Sequence, residues 1–310
     1  MRSLIVFLLL FSLNNLLGQN CAPNFTGSIP IADLGENEFN GFKGGKYPGG
    51  SNGIPGQHFQ KGNELGKSVS PLNINGEIDT INGKTGFMIL GYSTAAMTGR
   101  FFKQICETHP LNKKMEIIIG AQGGKDINSM VDINSNYYIT IDTILADQKL
   151  SAAQVQIIWL STGDILTHTL SFPEQCHAQI EKYQKVLLNL QQLYPNLKLI
   201  YLSDRPYAGY IGNVGEGPQE LKEPTGYYSS WTIKWLIEKQ IHLEKGFSYT
   251  EIPFIDWGPL LWTDGSNGNK QGYTWDCTDA GKGGIHASSK GRMKEAAMCW
   301  WFYKRNNYLK

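Results

Sequence analysis

The chain has 310 residues, of which 41 % are hydrophobic and 12 % aromatic, so it can bury a large core and does not have the composition of a disordered chain. The 28 Lys and Arg residues nearly balance the 27 Asp and Glu residues, giving a formal net charge of +1. Nucleic acids and anionic membranes bind to concentrated basic surfaces. The charge therefore predicts neither of them as a partner.

The first element in chain order is a segment typical of a secretory signal. Arg2 precedes an apolar stretch at 4–13, and Gly18 follows a few residues later. A charged start, an apolar run and a small residue is the order of a signal peptide, and the run is shorter than the roughly 18–20 residues that span a bilayer. The alternative is a membrane anchor. We expect residues 1–18 to be removed, and the mature protein to be periplasmic or extracellular without membrane contact.

Cysteine usage fits an exported chain but does not fix a disulfide pattern. The five cysteines are Cys21, Cys106, Cys176, Cys277 and Cys299. Export permits disulfides, and the odd number leaves at least one cysteine free or paired between chains. A Cys277–Cys299 bridge would brace the segment between them, and the alternative is five reduced thiols. No spacing of Cys and His suits zinc, so we predict no metal.

Residues 19–82 form a segment rich in Gly, Asn and Pro, which favours turns and irregular backbone. A flexible linker is the alternative interpretation. Aromatic side chains are nevertheless interspersed along it, and a linker has little use for them: Phe39, Phe42, Tyr47, His58 and Phe59. We predict an ordered segment that packs on the core and helps to line a cleft, followed by one domain over 83–310.

From residue 83 onward, short apolar runs alternate with amphipathic stretches. The runs predict strands at 87–90, 115–119, 155–160, 197–202 and 249–254, and the stretches predict helices at 95–106, 174–193, 229–243 and 288–303. Continuous apolar strands separated by helices indicate a parallel sheet covered on both faces. We predict the α/β class with a doubly wound sheet, whose ligands bind at the carboxyl ends of the strands.

Polar loops follow the predicted strands at that edge. Ser93 comes after the first strand and opens a helix, where free N–H groups can stabilise an oxyanion; a helix cap is the alternative. Residues 120–124 contain three glycines, which permit close approach to a ligand or form a tight turn. Residues 161–164 form a third loop. His286 precedes the last helix and could act as a general base to a serine, or be structural.

These blocks occur in an order that resembles the SGNH (GDSL-like) hydrolases. The matching landmarks are GGKYPGGSN at 44–52, GYS at 91–93, GAQGG at 120–124, VQIIWL at 155–160, YLSDRPYAGY at 201–210, WGPLLWTDG at 257–265 and GIHASSKGR at 284–292. The resemblance covers nearly the whole chain after the signal and looks closest to a secreted bacterial branch. It implies a three-layer α/β/α sandwich with a mostly parallel, flavodoxin-like sheet, and an esterase that needs no cofactor.

The resemblance implies a role for each matching residue. Ser93 is the nucleophile, and His286 takes the serine proton and returns it to the leaving group. The backbone N–H groups of Ser93, Gly123 and Gly163 form the oxyanion hole. The implied reaction is the hydrolysis of an acyl ester.

Two positions depart from the family pattern. The family carries Asp three residues before the histidine, where this chain has Gly283. Asp279 or Asp276 could instead orient the imidazole and stabilise its charged form, or a backbone carbonyl could orient the ring. The family often has Asn where Gly163 and Asp164 stand, and an ionised Asp164 cannot donate to an oxyanion. Two functions stay open: a secreted esterase, and a binding protein that kept the fold and lost the chemistry.

The remaining candidates concern the substrate. Aromatic residues in predicted loops could stack on sugar rings or belong to the core: Tyr207, Tyr210, Trp257, Trp262 and Trp275. Arg205 could bind a substrate carboxylate or hydroxyl, or form a structural salt bridge. The substrate-binding set is Tyr92, Gln122, Asp164, Arg205, Tyr207 and Trp262. We expect a small-molecule or glycan ester as the substrate, with an ester on a carbohydrate favoured by the location and the aromatic loops.

Overall fold

The computed structural model describes residues 25–306. The predicted signal peptide at 1–18 and Cys21 lie outside the described residues. Among the helices of the described part, none combines the length and the apolar character that crossing a bilayer requires.

The described chain begins with short elements and continues into alternating strands and helices. The N-terminal elements are α1 (Ile31–Leu34), β1 (Glu38–Phe39), β2 (Phe42–Lys43) and α2 (Gly56–Lys67). The later strands are β3 (Thr85–Gly91), β4 (Met115–Ile119), β5 (Val155–Ser161), β6 (Leu199–Leu202) and β7 (Phe254–Trp257). The later helices are α3 (Ser93–Thr108), α4 (Asn136–Asp147), α5 (Glu174–Leu193), α6 (Thr225–Ile241) and α7 (Ser289–Arg305).

Strands β3 to β7 form one parallel sheet in the order β4-β3-β5-β6-β7. Every residue of β3 and β5 is buried, because helices cover both faces of the sheet. The chain runs outward from β3 to β4 and then returns to the other side of β3, which is the flavodoxin-like order. Such a reversal leaves a crevice between the carboxyl ends of β3 and β5, where ligands bind in open α/β sheets.

Two helical layers receive the side chains of alternate strand positions. Met88 and Leu90 face the layer that contains α4, α5 and α6. Phe87 and Ile89 face the layer in which α3 packs on α7. Successive side chains of a strand point to opposite faces, so the apolar run of β3 supplies both halves of the core. The predicted three-layer α/β/α sandwich is confirmed.

The fifth strand lies further along the chain than the sequence predicts. The predicted span was 249–254, whereas β7 runs over Phe254–Trp257. The residues before it form a turn in which the Glu251 carboxylate accepts hydrogen bonds from the N–H groups of Gly246 and Ser248. The helix predicted at 229–243 also begins earlier, at Thr225.

Residues 25–82 pack on the core at the β7 edge and over α6. The Phe39 ring lies edge-on to the rings of Phe172 and Tyr227, with centroids 5.0 Å away in both cases. The hydroxyl of Tyr47 donates to the Asp256 carboxylate at 2.8 Å. Within the described residues, this segment does not line the cleft that contains Ser93, but Ile54 and Phe59 help to line a second cleft between β7 and α7.

The cysteines do not form the bridge predicted between Cys277 and Cys299. Cys277 is disulfide-bonded, whereas Cys106, Cys176 and Cys299 carry free thiols. Cys299 is fully buried in the apolar layer between α7 and the sheet. Burial raises the pKa of its thiol well above the usual value, so it stays protonated and unreactive. The alternative of five reduced thiols is also wrong.

Candidate active site

A glycine turn at the end of β3 presents Ser93. Gly91 has a φ of 132°, and a Cβ atom there would lie 1.8 Å from the carbonyl oxygen of Ser161 on β5, so only glycine fits. The Tyr137 hydroxyl accepts a hydrogen bond from the Gly91 N–H at 2.9 Å and donates one to the Gly91 carbonyl at 3.1 Å. These contacts fix the point from which α3 begins.

Ser93 pairs with His286 and does not cap its helix. The N-cap of α3 is Tyr92, which makes no side-chain cap hydrogen bond, and Ser93 is the first residue of the 16-residue helix. The Oγ of Ser93 lies 2.8 Å from Nε2 of His286. The structure thus brings the two predicted residues together, at the helix end whose dipole favours negative charge.

A glycine-rich loop holds His286 in place before α7. The carbonyl of His286 accepts a hydrogen bond from the Gly281 N–H at 2.7 Å, and the Gly283 N–H donates to the Val214 carbonyl at 3.1 Å. Gly283 has a φ of 81°, and a Cβ atom on it would meet the Glu216 carbonyl oxygen at 2.8 Å. This backbone therefore disfavours the Asp that the family carries at that position.

The environment of His286 favours its neutral form. Burial lowers the pKa of its half-buried imidazole, and the positive charges of Arg292 and Arg205 lower it further. Within residues 25–306, no carboxylate forms an ion pair with the ring. With its proton on Nδ1, the imidazole accepts the Ser93 hydroxyl proton at Nε2. His286 can therefore act as a base near neutral pH, but no acid among the described residues assists it.

Asp279 and Asp276 are engaged elsewhere and do not orient the imidazole. Asp279 is buried, and its carboxylate pairs with Lys294 at 2.7 Å and Lys290 at 3.3 Å. Although burial raises the pKa of Asp279, the hydrogen bond from Lys294 and its charge bring it below the usual value. The two acids also cap each other's backbone in the turn before the His286 loop. The catalytic role predicted for Asp279 therefore lacks the contact it requires.

The candidate oxyanion donors are free to bind a ligand. The N–H groups of Gly123 and Gly163 donate no hydrogen bond within the described part of the chain. The N–H of Ser93 belongs to the first helical turn, whose N–H groups have no intrahelical partner. Ser93 and Gly163 line the same cleft, and the space beside Gly123 is open.

The Asp164 carboxylate ties two loops of the cleft together. It accepts a hydrogen bond from the Asn128 amide at 2.7 Å and pairs with Lys182. The same Asn128 amide donates to Asp126 at 2.8 Å, and Asp126 accepts from the Ile165 N–H at 3.2 Å. Burial raises the pKa of Asp164, but the hydrogen bonds from Lys182 and Asn128 and the charge of Lys182 bring it below the usual value overall. Asp164 therefore shapes the wall of the cleft as an ionised, fully paired group.

The cleft at the carboxyl ends of β3 and β5 has a volume of about 170 Å³. Of the predicted substrate-binding residues, it is lined by Tyr92, Asp164 and Arg205. Arg205 donates from Nη1 to the Leu221 carbonyl at 2.9 Å and to the Thr225 hydroxyl at 3.1 Å. No carboxylate of the described residues lies within salt-bridge distance of its guanidinium. The interpretation of Arg205 as half of a structural salt bridge is therefore wrong.

The other predicted substrate contacts do not face the cleft. The Gln122 amide donates to the Tyr137 carbonyl at 2.8 Å. Tyr207 and Trp262 are each only 2 % exposed, and the Trp262 indole donates to Glu223 at 3.1 Å. The further aromatic candidates are equally buried: Tyr210, Trp257 and Trp275. These rings belong to the core because the loops after the strands fold over it and bury their apolar surface, so their predicted role in sugar stacking is wrong.

Sequence reasoning missed several residues that build the site. Asn128 and Lys182 hold Asp164, and Tyr137 holds the turn before Ser93. The spacing of Asp126 and Asn128 is the one available signal, since Asp side chains often bond the backbone two residues on. Tyr137 and Lys182 lie on helices far along the chain, and their partners are decided only by the tertiary fold.

Comparisons with known proteins give structural similarity alone. No protein-family model matches the chain, and no curated protein matches it. The chain is similar to a lipase/acylhydrolase from Enterococcus faecalis (11 % identity, covering 71 % of this chain and 95 % of that one, TM-score 0.41). It is also similar to a carbohydrate esterase family 3 protein from Talaromyces cellulolyticus (13 %, 69 % and 93 %, 0.39). A GDSL-like lipase from Bacteroides thetaiotaomicron is similar as well (10 %, 80 % and 97 %, 0.36). With TM-scores below 0.5, these likenesses have no weight for the chemistry of the site.

Proposed function

We propose that the protein is a periplasmic or extracellular esterase of the SGNH type that hydrolyses acyl esters with Ser93 as nucleophile and His286 as general base. The observation that carries the proposal is the 2.8 Å contact between Ser93 Oγ and His286 Nε2. It lies at the start of a helix, in a cleft beside unengaged backbone N–H groups. A nucleophile, a base within hydrogen-bond reach and donors for the developing charge are the parts that acyl transfer needs.

The proposed reaction assigns roles to Ser93, His286 and two glycines. Ser93 Oγ attacks the ester carbonyl carbon as its proton passes to His286 Nε2, and the carbonyl oxygen takes the negative charge. The N–H groups of Ser93, Gly123 and Gly163 stabilise that charge. The C–O bond to the alcohol then breaks, the imidazolium returns its proton to the leaving oxygen, and an acyl-serine remains. A water molecule then gives a proton to His286 and attacks the acyl-serine. His286 returns the proton to Ser93 Oγ as the acyl–serine bond breaks, and the carboxylic acid is released.

Because no acid of residues 25–306 pairs with His286, we expect a slow reaction. In a serine protease, an acid that no longer holds the correct histidine tautomer costs about 10⁴-fold in kcat. Here burial and two arginines further oppose the charge that His286 acquires in the transition state. We therefore expect slow turnover, best seen with activated esters.

The substrate class follows from the cleft. Its volume of about 170 Å³ suits a short acyl group. Polar side chains that could meet a hydroxylated ligand line it, among them Thr162 and Gln175. Together with the predicted export, this supports a small-molecule or glycan ester as the substrate.

The test is covalent labelling with a fluorophosphonate, read by intact mass. A single adduct is expected on the parent protein and none on Ser93→Ala. Ser289→Ala is the matched control, because Ser289 is also the first residue of a helix but is exposed and has no histidine partner. A parent that stays unlabelled, under conditions that label an active serine esterase, contradicts the proposal.

A second candidate is a binding protein that takes the same class of ligand without cleaving it. The engagement of Asp279 with Lys294 and Lys290 favours it, because His286 then lacks the acid that stabilises its charge. This candidate predicts no adduct and no ester turnover, with ligand binding unchanged in Ser93→Ala.

A further inference from the structure

Arg205 is a cation in the candidate cleft that forms no ion pair with a carboxylate of the described residues. Its half-buried side chain lines the same cleft as Ser93. Its two hydrogen bonds go to neutral oxygens, the Leu221 carbonyl and the Thr225 hydroxyl. These bonds hold one nitrogen of the guanidinium in place, and neither of them is made to a charged group.

Two acids near Arg205, Asp204 and Glu223, accept hydrogen bonds from other donors. Asp204, its neighbour in the chain, accepts from the N–H groups of Leu261 and Trp262 and from Ser230. Burial raises the pKa of Glu223, and the positive charge of Arg205 opposes part of that rise. Its oxygens nevertheless accept from three other donors: the N–H groups of Ala208 and Tyr227 and the indole of Trp262.

The acids of the cleft wall do not form an ion pair with Arg205 either. Asp126 accepts from Asn128 and the Ile165 N–H, and Asp164 pairs with Lys182. The only other described cation that lines the cleft is Lys125, which is exposed. Asp164 is thus paired with a lysine and Asp126 is hydrogen-bonded to neutral donors, and neither forms an ion pair with Arg205.

Because a charge removed from water is costly unless it is paired, we infer that Arg205 recognises a carboxylate carried by the substrate. A guanidinium suits this task, since its planar fork of donors matches a carboxylate. The inference rests on the proposed function and names its substrate class: esters in which the acyl group or the alcohol bears a carboxylate. Acetylated uronic acids are an example of the second kind.

The experiment compares charged and neutral esters in two matched pairs. On the alcohol side, 4-acetoxybenzoate is compared with 4-acetoxybenzamide; on the acyl side, mono-4-nitrophenyl adipate is compared with its methyl ester. Each kcat/KM is divided by the rate constant for hydroxide-catalysed hydrolysis. The parent is expected to prefer the carboxylate in one pair by about ten- to a hundredfold, the range of a hydrogen bond to a charged group. The pair that shows the preference identifies the side on which the charge lies.

Three variants separate the Arg205 contact from the general field of the cleft. Arg205→Gln is expected to remove the preference, and Arg205→Lys, which keeps the charge but not the fork, to retain part of it. Lys125→Gln removes an exposed cation from the same cleft and is expected to keep the preference. Melting temperatures identify a variant that fails to fold, and the Lys variant then carries the test.

The outcomes distinguish this inference from the proposed function. Equal normalised rates for both esters in each pair, with Ser93 labelled, overturn the inference and leave the esterase standing. A preference that survives Arg205→Gln also overturns it. If no ester is hydrolysed, calorimetry of the two charged esters, 4-acetoxybenzoate and mono-4-nitrophenyl adipate, with the parent and with Arg205→Gln decides. Binding of either ester that is lost in the variant supports the inference without catalysis, whereas binding of both that is unchanged in the variant or absent from both proteins overturns it.

Discussion

Nε2 of His286 lies 2.8 Å from Oγ of Ser93, although the two residues are 193 positions apart in the chain. The doubly wound sheet brings them together, because Ser93 follows β3 and His286 lies in the last loop before α7, which packs on α3. The contact therefore depends on the Gly91 turn and on the glycine-rich loop that holds His286, and two arginines, Arg292 and Arg205, act on the imidazole.

The pH dependence of ester turnover should reveal the environment of His286. A general base works when it is neutral, so kcat/KM should rise as pH increases through the pKa of His286. Burial, Arg292 and Arg205 hold that pKa below 6.5, and the midpoint of the acid limb should lie below pH 6.5. Arg292→Gln removes one positive charge and should move the midpoint upward.

The control for this profile is Lys304→Gln, which removes an exposed cation from the other end of the same helix and should leave the midpoint in place. A midpoint above 6.5 in the parent contradicts the electrostatic account. A midpoint that does not respond to Arg292→Gln removes the role assigned to that arginine.

Asp279→Asn should lower the free energy of unfolding and have little effect on kcat. The substitution removes the charge that pairs with Lys294 and Lys290, and leaves the Lys294 donor poorly matched. We expect a loss of about 1–3 kcal/mol in the free energy of unfolding, the cost of leaving a buried polar group without its partner. Urea denaturation measures this loss, and the exposed Asp147→Asn should show none.

The pH dependence of this loss has a definite sign. The pKa of Asp279 is lowered in the folded state, so its stabilisation is complete above the usual Asp pKa and disappears as pH falls through the lowered value. The difference between the parent and Asp279→Asn should thus be largest near neutral pH and shrink in acid. A kcat that falls by orders of magnitude while stability is unchanged would instead give Asp279 a catalytic role.

Gly91→Ala should disable the serine turn. A Cβ atom there would lie 1.8 Å from the Ser161 carbonyl oxygen, and the φ of 132° is one that L side chains rarely adopt. The backbone must shift, so fluorophosphonate labelling of Ser93 and thermal stability should both fall. Gly56→Ala is the matched control, because Gly56 opens α2 with open space around it. Labelling that persists in Gly91→Ala at the parental rate would show that the turn is not needed to present Ser93.

The sequence predicts the sheet well because its strands carry their own signal. Buried parallel strands such as β3 and β5 are continuous apolar runs bounded by polar loops. Helix α2 has no comparable signal: it contains Gly62 and Gly66, which lower intrinsic helix propensity, yet both are buried. Tertiary packing stabilises α2, so the helix could not be predicted from the local sequence.

The candidate site could be predicted only in part for a related reason. The order of strands and loops is enough to bring Ser93 near His286, since both lie at the same edge of the sheet. The partner of each charged group depends instead on which side chain reaches it across the fold. Asp279 reaches Lys294 on α7, Asp164 reaches Lys182 on α5, and Arg205 reaches neutral oxygens. The spacing of residues along the chain does not determine which partner each charged group has.

Asp164→Asn should fail to improve catalysis, although it places an asparagine in the loop where the SGNH pattern often has one. The Asp164 carboxylate accepts from the Asn128 amide and from Lys182. An asparagine in its place would direct an N–H₂ group at one of these donors, and donor facing donor leaves buried polar atoms unpaired. We expect destabilisation of about 1–3 kcal/mol, with kcat/KM equal to the parent's or lower.

The measurement pairs urea denaturation with turnover of an activated ester. Asp142→Asn, on an exposed position of α4, is the control for loss of one negative charge and should change neither quantity. A rise in kcat/KM in Asp164→Asn would mean that the new amide reaches the oxyanion. The cleft wall would then have to rearrange, because Asp164 is held on its present side by Asn128 and Lys182 together.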